Sequence, residues 1–141
     1  MNIHIINGPN LNLLGQREVD IYGNQSFETY LQELKQLFVQ INITYYQSNI
    51  EGELIDELQK VGFSADGIVF NPAGYSHTSI AIGDAIIAIK SPLVEVHISN
   101  IYAREEFRKH SFVSAKAKGV ITGLGMDGYR LAIEWLYKNC K

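Results

Sequence analysis

One connection in the sequence is far longer than is usual between a strand and the helix that follows it. The apolar run Ile3–Ile6 predicts a strand, and the next segment with helical spacing begins only at Ser26. Such connections usually take about 2–6 residues, and longer ones are mostly lids, binding loops or disordered segments. Disorder is disfavoured because the intervening residues include Leu11, Leu13, Leu14, Val19 and Ile21, which are too apolar for a solvated tail. We therefore predict a functional lid over about residues 15–25, which carries Arg17 and Tyr22.

Length and composition predict one catalytic domain over residues 1–141. The 15 acidic and 12 basic residues include no basic block, so we expect a small-molecule substrate and no nucleic acid. The single cysteine excludes a disulfide framework and a multi-cysteine metal site, and it suits a cytoplasmic location. We expect no signal peptide, because the chain runs from Met1 directly into a strand, and no membrane span.

Hydrophobic periodicity divides the chain into alternating strands and helices. Short apolar runs predict five strands, at residues 2–6, 43–47, 67–70, 93–98 and 119–122. Helical spacing predicts helices that begin after Ser26 and cover residues 51–61, about 76–89 and 127–137. This alternation favours parallel pairing with right-handed crossovers. We therefore predict an α/β fold, a single flavodoxin-like doubly wound domain whose five-stranded parallel sheet has the order 2-1-3-4-5.

Polar residues stand where the predicted strands end, and in such sheets ligands bind outside the carboxyl ends of the strands. Asn7 follows the first strand and Asn71 follows the third. Glu95, His97 and Ser99 share one face of the fourth strand, because side chains alternate along a strand. A strand buried on both faces has little structural use for a glutamate and a histidine together. We interpret them as site residues, with a satisfied buried pair as the alternative.

Two other pairs of residues are notable. His77 and Asp84 are seven residues apart on one face of the predicted helix over residues 76–89. At 1.5 Å per residue they are about 10 Å apart, so they could meet only across a contact between two copies of the chain. Arg17 and Tyr22 would each be unremarkable alone, as a solvated and a packed side chain. Together they form a possible base, because a nearby guanidinium favours the phenolate.

Signatures of several other functions are absent from the sequence. The first loop lacks the phosphate cradle of flavodoxins, and neither a dinucleotide fingerprint nor a P-loop motif occurs. Asn7 and Asn71 stand where a phospho-receiver needs aspartate, and the four histidines lack metal-ligand spacing. No nucleophile elbow and no candidate Schiff-base lysine are present. We expect no metal and no cofactor; a non-catalytic module for nucleotide or flavin remains the alternative, supported by the fold alone.

At this point the sequence resembles the type II 3-dehydroquinate dehydratases of the shikimate pathway along almost its whole length. The motifs that carry the resemblance are INGPNLNLLGQRE (6–18), IYG (21–23), QSNIEGELID (47–56), FNPAGYSHTSIAIGDA (70–85), EVHISNIYAREEFRKHS (95–111) and GVITGLGMDGY (119–129). Two departures occur. Ala73-Gly74 reverses the usual order of the family, for which we expect a slightly altered turn with activity retained, and Val19 stands where the family often has proline, which would alter lid stiffness.

The resemblance implies a reaction and the residues that perform it. The reaction is anti elimination of water from 3-dehydroquinate through an enolate, on the way to chorismate and the aromatic amino acids, without metal or cofactor. Tyr22 would be the proton acceptor, His97 the proton donor and Arg17 the transition-state stabiliser. A water near Asn10 would stabilise the enolate, and Glu95 would orient His97. The implied substrate-binding residues are Asn71, His77, Asp84 from a neighbouring subunit, Ile98, Ser99 and Arg108. The implied assembly is a homododecamer, a tetramer of trimers.

Overall fold

The computed structural model describes residues 1–16 and 18–140, so Arg17 and Lys141 lie outside the described residues. The strands are β1 (Asn2–Asn7), β2 (Asn42–Gln47), β3 (Gly67–Asn71), β4 (Leu93–His97) and β5 (Gly119–Thr122). The α-helices are α1 (Val19–Tyr22), α2 (Phe27–Leu37), α3 (Glu51–Val61), α4 (Ile80–Ala88) and α5 (Asp127–Asn139). Short 3-10 helices cover Leu11–Leu13, Ala73–His77, Ile101–Ala103, Glu106–Lys109 and Ser114–Lys116.

The five strands form one parallel sheet in the order β2-β1-β3-β4-β5, which confirms the predicted flavodoxin-like topology. Alternate strand residues point to opposite faces. Ile5 and Val69 pack with α2 and α5 on one face, whereas Ile6 and Phe70 pack with α3 and α4 on the other. The sheet is therefore covered on both faces, as expected for parallel strands joined by helices. Within the described residues, no helix is long and apolar enough to cross a membrane.

Local sequence signals explain where α2 and α3 begin and end. The Ser26 side chain caps α2 by accepting a hydrogen bond from the Thr29 amide at 3.2 Å, as its position in the sequence predicts. The bounds of α3 match the prediction. Gly62 follows α3 with a right-handed φ of −66°, so a left-handed cap conformation is not what requires glycine there. Glycine is needed because a Cβ there would lie 2.3 Å from Ile89 Cγ2.

The single helix predicted over residues 76–89 is wrong. Ala73–His77 is a 3-10 helix, and α4 starts a new helix at Ile80. The break arises because the Ser79 side chain accepts a hydrogen bond from the Ile82 amide at 3.0 Å, which makes Ser79 an N-cap. His77 and Asp84 therefore lie on different helices, and the predicted shared helix face does not exist.

The long connection after β1 also contains more regular structure than the sequence predicts. Leu11–Leu13 forms one 3-10 turn and α1 forms one helical turn. Leu11 and Leu14 are buried in the core between the sheet and α2, so the first half of the connection is anchored. The second half, with α1, lies on the surface. This division places Tyr22 above the carboxyl edge of the sheet.

Candidate active site

A cleft opens at the carboxyl ends of β1, β3 and β4, where the fold predicts a ligand site. Its empty volume is about 690 Å³, including the space that is open to solvent. The lining residues are Pro9, Asn10, Leu11, Leu14, Tyr22, Asn71, Ala73, Gly74, His77, His97, Ile98, Ser99, Ile101, Arg104 and Arg108. The cleft thus brings together eight of the residues that the sequence predicts for the site. Glu95 lies behind His97, and Arg17 is outside the described residues.

Glu95 and His97 form a buried pair at the end of β4. Their side chains are 0% and 5% exposed, and His97 Nε2 lies 2.6 Å from Glu95 Oε1. Because a carboxylate only accepts hydrogen bonds, Nε2 carries the proton in this contact. The second ring nitrogen, Nδ1, is therefore the one left for a ligand in the cleft. The alternation along β4 had predicted that these two side chains share a face.

Two asparagines meet beneath the floor of the cleft. Asn7 and Asn71 are paired in register at the ends of β1 and β3. Between them the hydroxyl of Tyr129 accepts a hydrogen bond from Asn71 Nδ2 at 2.9 Å and donates one to Asn7 Oδ1 at 2.8 Å. Burial raises the pKa of Tyr129 far above its ordinary value, so this hydroxyl stays neutral and keeps its proton. The network fixes which amide atoms of Asn71 remain available to a ligand.

The loops that follow β1 and β3 touch at Gly8. Its amide donates to the Asn71 carbonyl at 2.8 Å, and a Cβ on Gly8 would lie 2.6 Å from the Pro72 carbonyl oxygen. Only glycine permits this approach. Asn10 comes next in a left-handed conformation, with a φ of 68°, and its amide donates to Asn49 Oδ1 at 2.9 Å. These contacts hold the Asn10 backbone at the rim of the cleft.

Tyr22 and Arg104 meet on the opposite wall. The Tyr22 hydroxyl accepts a hydrogen bond from Arg104 Nη1 at 3.1 Å, and the same nitrogen lies 3.1 Å from Ser99 Oγ. Arg104 lies after β4 and was not among the predicted site residues. It stands outside the α-helices and strands, so no periodicity indicates the direction of its side chain and this contact could not be predicted. The Arg104 guanidinium thus joins the hydroxyls of Tyr22 and Ser99 at this wall of the cleft.

His77 and Arg108 complete the polar lining. His77 Nδ1 donates to the His110 carbonyl at 2.7 Å, which leaves Nε2 as an acceptor. Burial lowers the pKa of His77, and the positive charges of His97 and Arg108 act in the same direction. Arg108 Nε pairs with Glu105 at 2.5 Å, and Arg104 lies at 4.0 Å from the same carboxylate. Two guanidinium groups at one cleft suit an anionic ligand.

Asp84 does not line this cleft. It is an exposed residue of α4, in line with the exposed Ile80 and Ile87 at helical spacing. Among the described residues, no group of three or more histidine, cysteine, aspartate or glutamate side chains could hold a metal ion.

Comparison with known proteins identifies the family. The model of the family Dehydroquinase class II matches residues 1–137. The chain is 49% identical over 143 residues to the 3-dehydroquinate dehydratase of Prochlorococcus marinus, an alignment that covers 100% of this chain and 99% of that protein. It is 52% identical over 135 residues to the enzyme of the same name from Aliarcobacter butzleri, covering 94% of this chain and 82% of that one.

Solved structures agree with the sequence relatives. The type II dehydroquinase of Butyrivibrio crossotus superposes with a TM-score of 0.93 at 45% identity and covers 97% of each chain. That of Propionibacterium acnes gives a TM-score of 0.91 at 40% identity, covering 98% of this chain and 97% of the other. Family model, relatives and fold all point to one group of hydro-lyases, and the chain belongs to the class II dehydroquinases.

Proposed function

We propose that this chain converts 3-dehydroquinate to 3-dehydroshikimate by anti elimination of water through an enolate. One observation carries the proposal: a tyrosine hydroxyl held by an arginine and a histidine held by a buried glutamate line the same cleft. Elimination next to a ketone needs both a base for the weakly acidic α-proton and an acid for the departing hydroxyl. Tyr22 and His97 supply these two groups in a chain that belongs to a family of hydro-lyases.

Tyr22 is the proposed base. As a phenolate it removes the proton α to the ketone, and the electron pair of the broken C–H bond forms the enolate. Arg104 donates to the Tyr22 oxygen and so stabilises its negative charge before the transfer. By resemblance, Arg17 contributes a second guanidinium that favours the phenolate and stabilises the transition state. Closure of the proposed lid over residues 15–25 would exclude water and strengthen both effects.

His97 is the proposed acid. The enolate collapses to the conjugated enone, the C–O bond breaks, and the departing hydroxyl takes a proton from His97 and leaves as water. Because Nε2 is engaged with Glu95, the proton comes from Nδ1 of an imidazolium ring. The fully buried Glu95 carboxylate orients the ring and balances its charge. Anti geometry requires Tyr22 and His97 to act from opposite faces of the substrate ring.

The remaining lining residues bind the substrate in this proposal. The substrate carboxylate meets the amides of Ile98 and Ser99 and the Ser99 hydroxyl, close to the positive charge of Arg104. Asn71, His77 and Arg108 hold the ring hydroxyls, with His77 accepting through Nε2. The enolate oxygen is stabilised through a water held near Asn10. Preorganised donors of this kind are worth most in a site from which solvent is excluded.

Subunit assembly completes the proposed site. The outer face of α4 exposes Ile80 and Ile87 at 59% and 66%, on either side of Asp84. Apolar side chains in line on one helix face favour burial against another surface. We propose that this face packs against a second copy in a trimer, where Asp84 reaches the neighbouring cleft, and that four trimers form a dodecamer. A cytoplasmic location and a step toward chorismate are parts of the same proposal.

Turnover of 3-dehydroquinate tests the proposal. The purified protein is mixed with authentic substrate, and the absorbance of the conjugated enone is followed in the ultraviolet. We expect a rise that continues in the presence of a chelator and of borohydride, since the proposed mechanism needs neither a metal nor a Schiff base. A folded protein that produces no enone would refute the function. Stabilisation of the protein by FMN but not by 3-dehydroquinate would favour a flavin-binding module instead.

A further inference from the structure

Two serines contact the carboxylate behind His97 from the segment that precedes β5. Ser111 Oγ lies 3.1 Å from Glu95 Oε1, and Ser114 Oγ hydrogen-bonds to Glu95 Oε2. With His97 on Oε1, the carboxylate therefore has three hydrogen-bond partners. Glu95 is 0% exposed, and among the described residues no lysine or arginine forms an ion pair with it. The two hydroxyl groups therefore supply Glu95 with hydrogen bonds in addition to the one from His97, as a buried carboxylate requires.

The backbone sets the direction in which the Ser111 proton points. Ser111 Oγ accepts hydrogen bonds from the amides of Val113 and Ser114, both at 3.0 Å. A serine hydroxyl has one proton and two acceptor sites, so the proton is left to be donated to Glu95. The segment itself is tied to the sheet, because the Lys118 amide donates to the Leu93 carbonyl at 2.7 Å. This hydrogen bond holds the segment that carries the donors to Glu95 beside β4.

The charge of Glu95 determines what His97 can do. Hydrogen bonds to a carboxylate favour its charged form, and the charged carboxylate in turn favours imidazolium at His97. If donors to Glu95 are lost, the proton shared by the pair moves toward the carboxylate and leaves a neutral imidazole. Neutral imidazole is a much weaker acid than imidazolium, so protonation of a departing hydroxyl slows. The serines thus act on the reaction through Glu95 and His97 without touching the substrate.

We propose that Ser114 and Ser111 are positioning residues that keep Glu95 a carboxylate aimed at His97, and so keep His97 in its proton-donating form. The inference rests on the proposed dehydration, and it adds two residues to it. The two serines differ in their other hydrogen bonds, and this difference determines which of them is substituted in the test. Ser111 also caps two backbone amides, whereas, among the residues that the structure describes, the Ser114 hydroxyl hydrogen-bonds only to Glu95.

Ser114→Ala is therefore the decisive variant. We expect kcat to fall by about 10-fold or more, as for the loss of a hydrogen bond to a charged group, with KM changed by less than about 3-fold. Ser114→Thr keeps a hydroxyl and should restore most of kcat. Ser91→Ala is the matched control, because Ser91 is a half-buried serine that donates to the Ala65 carbonyl at the other end of β4. The control should keep the kcat of the wild type.

Solid-state NMR of protein with nitrogen-15 histidine supplies a readout that does not depend on turnover. The ring signals of His97, assigned with His97→Gln, should move toward those of neutral imidazole in Ser114→Ala and stay in place in Ser91→Ala. Unchanged kcat and unchanged His97 signals in Ser114→Ala would overturn the inference. A wild-type protein without turnover would refute the proposed function instead, and the His97 spectra would still decide whether the serines set its charge.

Discussion

The two sides of the cleft are built in different ways. On the acid side, Glu95 and His97 project from β4, an interior strand, and are almost completely buried. On the base side, Tyr22 ends the one-turn helix α1, whose Val19 and Ile21 are 49% and 41% exposed. The acid is thus part of the core, whereas the base lies on a surface segment. A base on such a segment can close over a substrate, while a core acid is in place beforehand.

This difference predicts that substitutions on the two sides of the cleft have different effects on turnover and on the free energy of unfolding. Changes on the acid side should reduce both turnover and the free energy of unfolding, because the side chains are buried and hydrogen-bonded. Changes on the base side should reduce turnover and leave stability nearly unchanged, since surface substitutions usually cost little. The variants below test this contrast, beginning with the largest expected effect.

Tyr22→Phe tests the base side. We expect turnover of 3-dehydroquinate to fall by about 10²- to 10⁴-fold, the usual contribution of a general base, because the phenyl ring cannot accept the α-proton. The melting temperature should stay that of the wild type. Tyr102→Phe is the control, because Tyr102 is 58% exposed and does not line the cleft. Near-normal turnover in Tyr22→Phe would remove this residue from the mechanism.

Glu95→Gln tests the acid side. The amide brings a donor to a place where His97, Ser111 and Ser114 also donate, so the buried network cannot be satisfied. We expect kcat to fall and the free energy of unfolding, measured by denaturant titration, to fall by about 1–3 kcal/mol. Glu106→Gln changes an exposed glutamate and should leave both kcat and the free energy of unfolding unchanged. Loss of turnover without loss of stability would contradict the proposed contrast between the two sides.

The reversed Ala73-Gly74 order tests how the floor of the cleft is held. Ala73 has a φ of 52°, which costs a residue with a Cβ about 1–2 kcal/mol, whereas a Cβ on Gly74 would meet no atom within 4 Å. Restoring the usual family order with Ala73→Gly and Gly74→Ala should therefore raise the free energy of unfolding by about 1 kcal/mol. Activity should be kept, because the backbone amide of residue 73, which donates to Asn71 Oδ1, is present with either side chain. Each single variant serves as a control for the other, and a less stable double variant would contradict this prediction.

The smallest expected effect is a pH dependence that comes from His77. Burial lowers the pKa of His77 below its ordinary value of 6.5, so the unfolded chain binds the proton more readily than the folded one. Stability from this group is therefore present above pH 6.5 and is lost as the pH falls through the lowered pKa. His77→Asn should flatten the decrease in melting temperature on acidification. If the melting temperature of His77→Asn falls with pH as steeply as that of the wild type, His77 is not the cause of the decrease. Other groups would then cause it, such as His4, because burial also lowers the pKa of His4.

Much of the site could be predicted because it depends on regular periodicities. The alternation along β4 placed Glu95 and His97 on one face, and the strand-end rule placed Asn7 and Asn71 side by side. The alternation of five short strands with helices favoured a doubly wound parallel sheet of the order 2-1-3-4-5, and that order is observed. These inferences hold because the period of a strand and the chirality of a crossover are fixed by backbone geometry.

The rest depends on contacts that no period predicts. Arg104 and Ser111 lie in irregular segments and Ser114 begins a 3-10 helix of three residues, and in such places the direction of a side chain is decided by local hydrogen bonds. The prediction that His77 and Asp84 share a helix was wrong because Ser79 is the N-cap of a new helix. A capping serine and an ordinary helix-surface serine are the same letter in a sequence. The hydrogen bond from the Ile82 amide to the Ser79 side chain distinguishes them in the structure.

The stereochemistry of proton loss tests the central claim most directly, because the account places base and acid on opposite faces of the substrate. 3-Dehydroquinate is prepared with deuterium at one or the other of the two α-positions on the carbon that loses its proton, and the product is analysed by mass spectrometry. The account predicts that the deuterium anti to the departing hydroxyl is lost and that the syn deuterium is retained in 3-dehydroshikimate. Loss of the syn deuterium would contradict the assignment of Tyr22 and His97 to opposite faces.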